Sequence, residues 1–203
     1  MSWKFIKLIG SVLVIFMIGG CYQSDYTKLV KEELAKGVRQ DSILLGLSFG
    51  NTRNEFYGRC FDLNKKQLVS QGPDNASVQY VWKDSLVHDE PTDMRLLFYP
   101  GFDEQDKISN MDMEFSYLGW APWNTKLQSD SLEIKVRQLL LMWYKGNDFV
   151  MANSDDVEFP VKVDGNRRII ILIKDAQTVR VLVQDILHPK FMHSVTKEKF
   201  DDK

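Results

Sequence analysis

The clearest indication of the fold lies in residues 157–186, which read VEFPVKVDGNRRIIILIKDAQTVRVLVQDI. Three stretches rich in β-branched and aliphatic residues, 157–163, 168–173 and 178–186, predict strands. Between the first two stand Asp164, Gly165 and Asn166, and Gly and Asn tolerate the positive φ that a tight hairpin turn requires. Connections this short join antiparallel strands. The C-terminal part of the chain is therefore predicted to form a β-meander.

Further strands are predicted before this meander. Residues 77–82, 94–99 and 112–118 have strand character, and residues 71–75, which contain Gly and Pro together, predict a turn. Hydrophobic side chains alternate with polar ones along the last of these stretches, as in a strand with one buried face: Met111, Met113, Phe115 and Tyr117. These strands enlarge the predicted antiparallel sheet.

Two helices are predicted near the start of the chain. Ser24 or Asp25 caps the first, which runs to about residue 36 and ends at a glycine. The second spans 53–65, and Thr52 with Glu55 forms a capping box at its start. Because a tight connection separates them, the two helices are predicted to form an N-terminal helical hairpin.

A further amphipathic helix is predicted to begin at Asp130, with Glu133 as its capping-box partner, and to stop at Gly146. One face of this helix is apolar: Leu132, Val136, Leu139, Leu140 and Trp143. Helices and antiparallel strands together predict an α+β fold, with the helical hairpin and this helix packed on the sheet.

The N-terminus has the layout of an export signal. Lys4 and Lys7 precede the apolar run 8–18, which is shorter than the roughly 20 residues of a membrane-spanning helix, and Gly19-Gly20-Cys21 follows. This end resembles the lipobox of bacterial lipoproteins, which implies that residues 1–20 are removed and that Cys21 carries lipid. The alternative is an ordinary secretory signal with a cysteine at the cleavage site by chance.

Further expectations follow from that resemblance. The lipid on Cys21 would anchor the protein to a membrane, and Tyr22, which is not Asp, favours the outer membrane. Residues 21–24 would then be the lipidated N-terminus, 25–187 a single α+β domain and 188–203 a charged C-terminal tail. The formal net charge of −2 gives no sign of nucleic-acid binding. Lipidation leaves Cys60 without a disulfide partner, and its spacing from Phe56 predicts a place in the core.

One segment has the G-x-S-x-G pattern of a hydrolase nucleophile: GLSFG at 46–50, with Ser48 at its centre. That site needs a buried parallel strand before the serine and a helix starting at it, and neither is predicted. The three histidines, His88, His188 and His193, have no metal-ligand spacing, and the acidic loops at 103–106 and 155–158 do not follow a calcium-loop pattern. We therefore predict no enzyme activity, no metal and no cofactor.

The most unusual segment is Tyr117–Trp123, YLGWAPW, which places Trp120 and Trp123 around a Gly and Pro bend. Aromatic side chains on such a loop either lock it onto the core or form a platform for a sugar or a protein partner. Tyr117, Trp120 and Trp123 are therefore the predicted candidates for ligand or partner contact.

Residues 50–56, GNTRNEF, open a helix soon after an N-terminal helix. They resemble the G-M-T-x-x-E-V stretch of the small outer-membrane lipoproteins related to BamE, although Asn51 and Phe56 replace the usual Met and Val. That resemblance implies two helices on an antiparallel sheet and a role as an accessory subunit. The whole chain also resembles lipoproteins of Bacteroidota-type envelopes. We expect an outer-membrane interaction or accessory protein, or alternatively a lipoprotein that binds a small ligand or glycan.

Overall fold

A computed structural model describes residues 24–83, 93–154 and 157–196, and it confirms the predicted α+β class. The helices are α1 Asp25–Ala35, α2 Arg53–Lys65, α3 Ser129–Trp143 and α4 Pro189–Thr196. The strands are β1 Val69–Gln71, β2 Val78–Trp82, β3 Met94–Phe102, β4 Ile108–Tyr117, β5 Val150–Ser154, β6 Val157–Asp164, β7 Arg167–Ile173 and β8 Val179–Asp185. Within those ranges no helix has the length and apolar character needed to cross a membrane.

The eight strands form one antiparallel sheet in the order β1-β2-β3-β4-β8-β7-β6-β5. Consecutive strands pair with each other within the run β1–β4 and within the run β5–β8. The two runs meet at the centre, where β4 pairs with β8 and Phe115 lies opposite Val179. A helix precedes each run, α2 before β1 and α3 before β5.

The main hydrophobic core lies on one face of this sheet. The alternation predicted for β4 is confirmed, since Met111, Met113 and Phe115 are fully buried. The apolar stripe of α3 packs against them, together with the segment 43–49 and the inward residues of β3, β7 and β8. Most of the buried apolar residues in the described part of the chain therefore belong to this core.

A second, smaller core lies on the opposite face, under α1. Tyr26 and Val30 of α1 pack against Phe159, Val161 and Val163 of β6. Because Phe56 of α2 belongs to the main core, α1 and α2 pack on opposite faces of the sheet, and the predicted helical hairpin is wrong. A helix buries its apolar stripe against the best apolar surface that it can reach, and nearness in sequence does not decide which surface that is.

The helix starts were predicted with mixed success. Ser24 caps α1, and Thr52 and Glu55 form the complete capping box of α2, as expected. By contrast, α3 begins at Ser129 after Gln128, which makes no side-chain capping bond. The predicted capping box at Asp130 is therefore wrong, because the Glu133 carboxylate accepts from Arg137 one turn later in the helix, 2.7 Å away.

The C-terminal region also differs from the prediction of a solvated tail beginning at 188. Residues 189–196 form α4, and Phe191 is 8% exposed, so this part belongs to the folded domain. The reason is the apolar Phe191 side chain, which offers burial that the neighbouring charges do not outweigh. Residues 197–203 lie outside the described residues, as do residues 1–23 with the predicted signal peptide and Cys21.

The turn between β6 and β7 is buried although turns are usually exposed. Residues 161–170 are all buried, including Gly165 at the turn. The Glu33 carboxylate at the end of α1 accepts from the Gly165 N–H at 2.9 Å and from the Asn147 amide at 2.7 Å. On the other side of the turn, Lys162 pairs with Asp164 at 3.0 Å. The Glu33 contacts fasten α1 to the turn, and these charge-assisted bonds satisfy several of its buried polar groups, although the buried Nε of Arg167 has no hydrogen-bond partner.

Candidate ligand-binding groove

The aromatic residues of α2 face two different environments. Phe56 and Leu63 point into the core, and their spacing of seven residues keeps them on one side of the helix. Tyr57 and Phe61, four residues apart, share another side, where 50% of Tyr57 and 60% of Phe61 is exposed. Large exposed rings at this spacing form a continuous surface on a helix.

Beside these rings lies a groove between α2, β1 and the connection to β2, and we call it the aromatic groove. Its volume of about 680 Å³ lies within the range of roughly 300–1,000 Å³ that is usual for small-molecule sites. The described side chains that line it are all uncharged. They are Phe56, Tyr57, Cys60, Phe61, Asn64, Val69, Ser70, Gln71, Asn75, Ala76, Ser77, Val78 and Tyr99.

A set of contacting rings forms one wall of the aromatic groove. The Phe56 ring meets the Tyr99 ring edge to face, with centroids 5.7 Å apart at 81°. The Tyr57 and Tyr99 hydroxyls are hydrogen-bonded at 3.1 Å, which joins α2 to the end of β3. The Phe102 ring extends the cluster, and the Arg53 guanidinium lies 4.0 Å from its centroid. This wall is fixed by contacts that exist without any ligand.

The far end of the aromatic groove is held by polar contacts. The Lys65 ammonium lies 4.3 Å from the centre of the Phe61 ring, and the Asn64 amide donates to the Val69 carbonyl at 2.9 Å. The backbone passes close to itself at Gly72, where a Cβ would stand 2.9 Å from the Ser77 carbonyl oxygen and 2.3 Å from the Ser77 hydroxyl oxygen. A close backbone approach of this kind requires glycine.

Cys60 lines the aromatic groove and is partly buried against the main core, so the predicted place in the core is confirmed only in part. Burial raises the pKa of the Cys60 thiol to about 11. The thiolate is the reactive form, so this thiol is a weak nucleophile at neutral pH. Its place in the groove is that of a small, neutral lining group.

The predicted aromatic loop does not form one surface. Tyr117 is 5% exposed, and Lys135 lies over its ring at 5.8 Å. Trp120 is partly buried against the main core, whereas Trp123 projects into solvent with 84% of its surface exposed. The structure therefore separates the three residues that the sequence grouped together.

The segment around Ser48 is not built like a nucleophile elbow. The Ser48 N–H donates to the Asn51 side chain at 2.8 Å, and Ser42 and Ser48 form an isolated antiparallel bridge. Gly46 takes a left-handed φ of +82° beside the Arg59 side chain, and α2 begins only at Arg53. A tight loop of this kind lacks the strand-to-helix turn that exposes such a serine.

The histidines and acidic loops are placed as follows. His188 faces the Asp103 carboxylate, with Nε2 and Oδ2 3.5 Å apart. Backbone N–H groups of the same loop lower the pKa of Asp103, against the opposing effect of burial. His88 and residues 155–156 lie outside the described part of the chain, and the His193 side chain is not described. Among the described residues, no three His, Cys, Asp or Glu side chains stand close enough to hold a metal ion.

No family model matches the chain, and no curated protein or solved structure is significantly similar to it. The candidate site therefore depends on geometry. The sequence did not predict the aromatic groove, because the spacing of Phe56 and Cys60 indicated only a core stripe on α2. The available signal was the pair Tyr57 and Phe61, two large rings at i and i+4 on the side of α2 that the stripe leaves outside.

Proposed function

We propose that this chain is an outer-membrane lipoprotein that works by binding, and that the aromatic groove is where it contacts another envelope component. The lipid on Cys21 would hold the protein at the membrane. Because α1 begins at Asp25, only three residues would separate the anchor from the fold. The protein is then an interaction or accessory protein that works close to the bilayer.

The observation that carries this proposal is the set of rings that stay exposed on α2. An aromatic side chain that remains half-exposed beside a groove loses favourable burial, and aromatic residues are enriched where proteins recognise partners. Tyr57 and Phe61 are such residues, and both line a groove of ligand size. This combination is typical of a recognition site.

Binding fits the chemistry of the aromatic groove better than catalysis does. Proton transfer needs an acid or base whose pKa lies near the working pH. The described lining residues include no carboxylate, imidazole or ammonium group, and the Cys60 thiol keeps its proton at neutral pH. Ser48, the nucleophile candidate of the sequence, does not line the groove. The groove has room for a ligand, but its described lining supplies no acid, base or ionised nucleophile for a reaction at neutral pH.

Two measurements test the proposal. Labelling of growing cells with a fatty-acid probe should mark the parent chain and leave Cys21→Ala unmarked; equal labelling of both would exclude the anchor. For the groove, a photo-crosslinking phenylalanine analogue at position 61 should capture an envelope component. The same analogue at Ile134, which is 57% exposed on α3, is the matched control. Equal capture at both positions, or none at either, would exclude the groove as the contact site.

A further inference from the structure

We infer that the aromatic groove takes a neutral glycan, an inference that rests on the proposed binding function. The chemistry of the lining selects the ligand class. Hexose and N-acetylhexosamine rings combine an apolar face of C–H groups with a periphery of hydroxyl and acetamido groups, and the groove presents a partner for each of these features.

The apolar face of a sugar needs a flat platform that is already in place. Tyr57 and Phe61 provide two such rings, one helical turn apart. The hydrogen bond to Tyr99 fixes the Tyr57 ring, and the ammonium of Lys65 lies against the Phe61 ring. Because these contacts exist before binding, less side-chain entropy is lost when a ligand arrives.

The polar periphery of a sugar needs groups that both donate and accept hydrogen bonds. Asn64, Gln71 and Asn75 present amides along the aromatic groove, and Ser77 presents a hydroxyl. Amides and hydroxyls have both donors and acceptors, so they match sugar hydroxyl and acetamido groups. A cationic ligand would lose hydration on entering and would find no carboxylate among the described lining residues. The lining therefore favours a neutral polar ligand.

Two other ligand classes fit less well. An extended peptide would bind by adding a strand to β1, but β1 has only three residues and the Asn64 amide already occupies the Val69 carbonyl. A fatty acyl chain needs a closed apolar cavity, whereas amide and hydroxyl groups interrupt the apolar lining here. A sugar matches the mixture of rings and amides.

The test uses the full-length protein and two oligosaccharides of the same length. One is the N-acetylglucosamine trimer, which is neutral, and the other is its deacetylated, cationic form. Binding of both trimers is compared by calorimetry at about pH 6, where the amines of the deacetylated form are protonated. Protection of the Cys60 thiol from alkylation is then measured with the neutral trimer at about pH 9, where more of the thiol is ionised. We expect the neutral trimer to bind at least about tenfold more tightly than the cationic one, and to protect Cys60 because that residue lines the groove.

Four variants test whether binding takes place in the groove. Tyr57→Ala and Phe61→Ala should each weaken binding of the neutral trimer by about tenfold, the loss that is usual when an aromatic contact at a binding site is truncated. Tyr57→Phe keeps the platform and should retain binding within about threefold. Ile134→Ala, at an exposed position of α3, should leave it unchanged. Thermal melting of each variant shows whether it is folded, and Tyr57→Phe provides a test that does not depend on loss of a ring.

The results separate the glycan inference from the proposed function. No binding of the neutral trimer, or equal binding of both trimers, overturns the glycan inference. Selective binding of unstructured peptides overturns it too. If crosslinks at position 61 persist in any of these cases, the binding function survives with another ligand. If crosslinks and trimer binding are both absent, the groove is not a recognition site and both proposals fail.

Discussion

The buried turn between β6 and β7 gives a sharp test of the packing, through Gly165→Ala. Gly165 has a φ of +56°, and a Cβ there would stand 2.3 Å from the Val38 carbonyl oxygen. The left-handed backbone alone costs an alanine roughly 1–2 kcal/mol. The contact must also open by most of an ångström against main chain, which adds roughly 1–3 kcal/mol. We expect a total loss of about 3 kcal/mol, a large share of a typical stability of about 5–15 kcal/mol.

Gly37→Ala is the matched control. Gly37 has nearly the same φ, +63°, but a Cβ there would meet nothing within 4 Å. It should lose only the backbone cost of roughly 1–2 kcal/mol. In urea unfolding of both variants, Gly165→Ala should lower the midpoint by about 1 M more than Gly37→Ala, for a slope of roughly 1–3 kcal/mol per molar. Equal midpoints would mean that segment 38–40 does not pack on the turn, which would refute the reasoning.

Three further predictions concern single side chains. Burial raises the pKa of Glu33, but hydrogen bonds from Gly165, Lys36 and Asn147 outweigh that effect, so the pKa lies below the ordinary value of 4.5. The ionised Glu33 side chain therefore stabilises the fold above pH 4.5, and this contribution should be lost as the pH falls through the folded pKa. Glu33→Gln should reduce the loss of stability that urea unfolding measures between about pH 5 and 3. Trp120→Ala should lower the free energy of unfolding by about 2 kcal/mol and Trp123→Ala by less than about 0.5, and the reverse order in denaturation curves would contradict the placement of the loop. Alkylation of Cys60 by iodoacetamide should be slow at pH 8 and should still accelerate at about pH 11, whereas a rate that levels off by about pH 10 would show a normal thiol.

Structural features that depend on one interaction between neighbouring residues were predicted correctly from the sequence. The capping box at Thr52 and Glu55 and the alternation along β4 need only neighbouring residues, and both are confirmed. Packing of α1 was not predictable in this way. Its partners on β6 are more than a hundred residues away along the chain, and the apolar stripe of a helix carries no information about which sheet face it covers.

The candidate site was missed for a similar reason. Trp120 and Trp123 were predicted as contact residues because tryptophans are rare and these two stand close together in the sequence. Their exposure depends on which side of the bend faces the core, and the two differ widely in the structure. The aromatic groove needs Tyr57 from α2 and Tyr99 from β3 together, and that pairing depends on the tertiary fold. The sequence supplied the residues but not their contact.

The pairing of β4 with β8 has a consequence for the order of folding. The central strand β4 completes its pairing only when β8 has been synthesised, about seventy residues later along the chain. Likewise, α1 finds its partners only when β5 and β6 exist, although it is made first. Contacts between residues this far apart in sequence form only when a long loop closes, which slows folding. Until then the partly folded chain exposes apolar surface to solvent. We therefore expect slow folding, in which the first helix and the unpaired edge of β4 need protection until β5, β6 and β8 have been made.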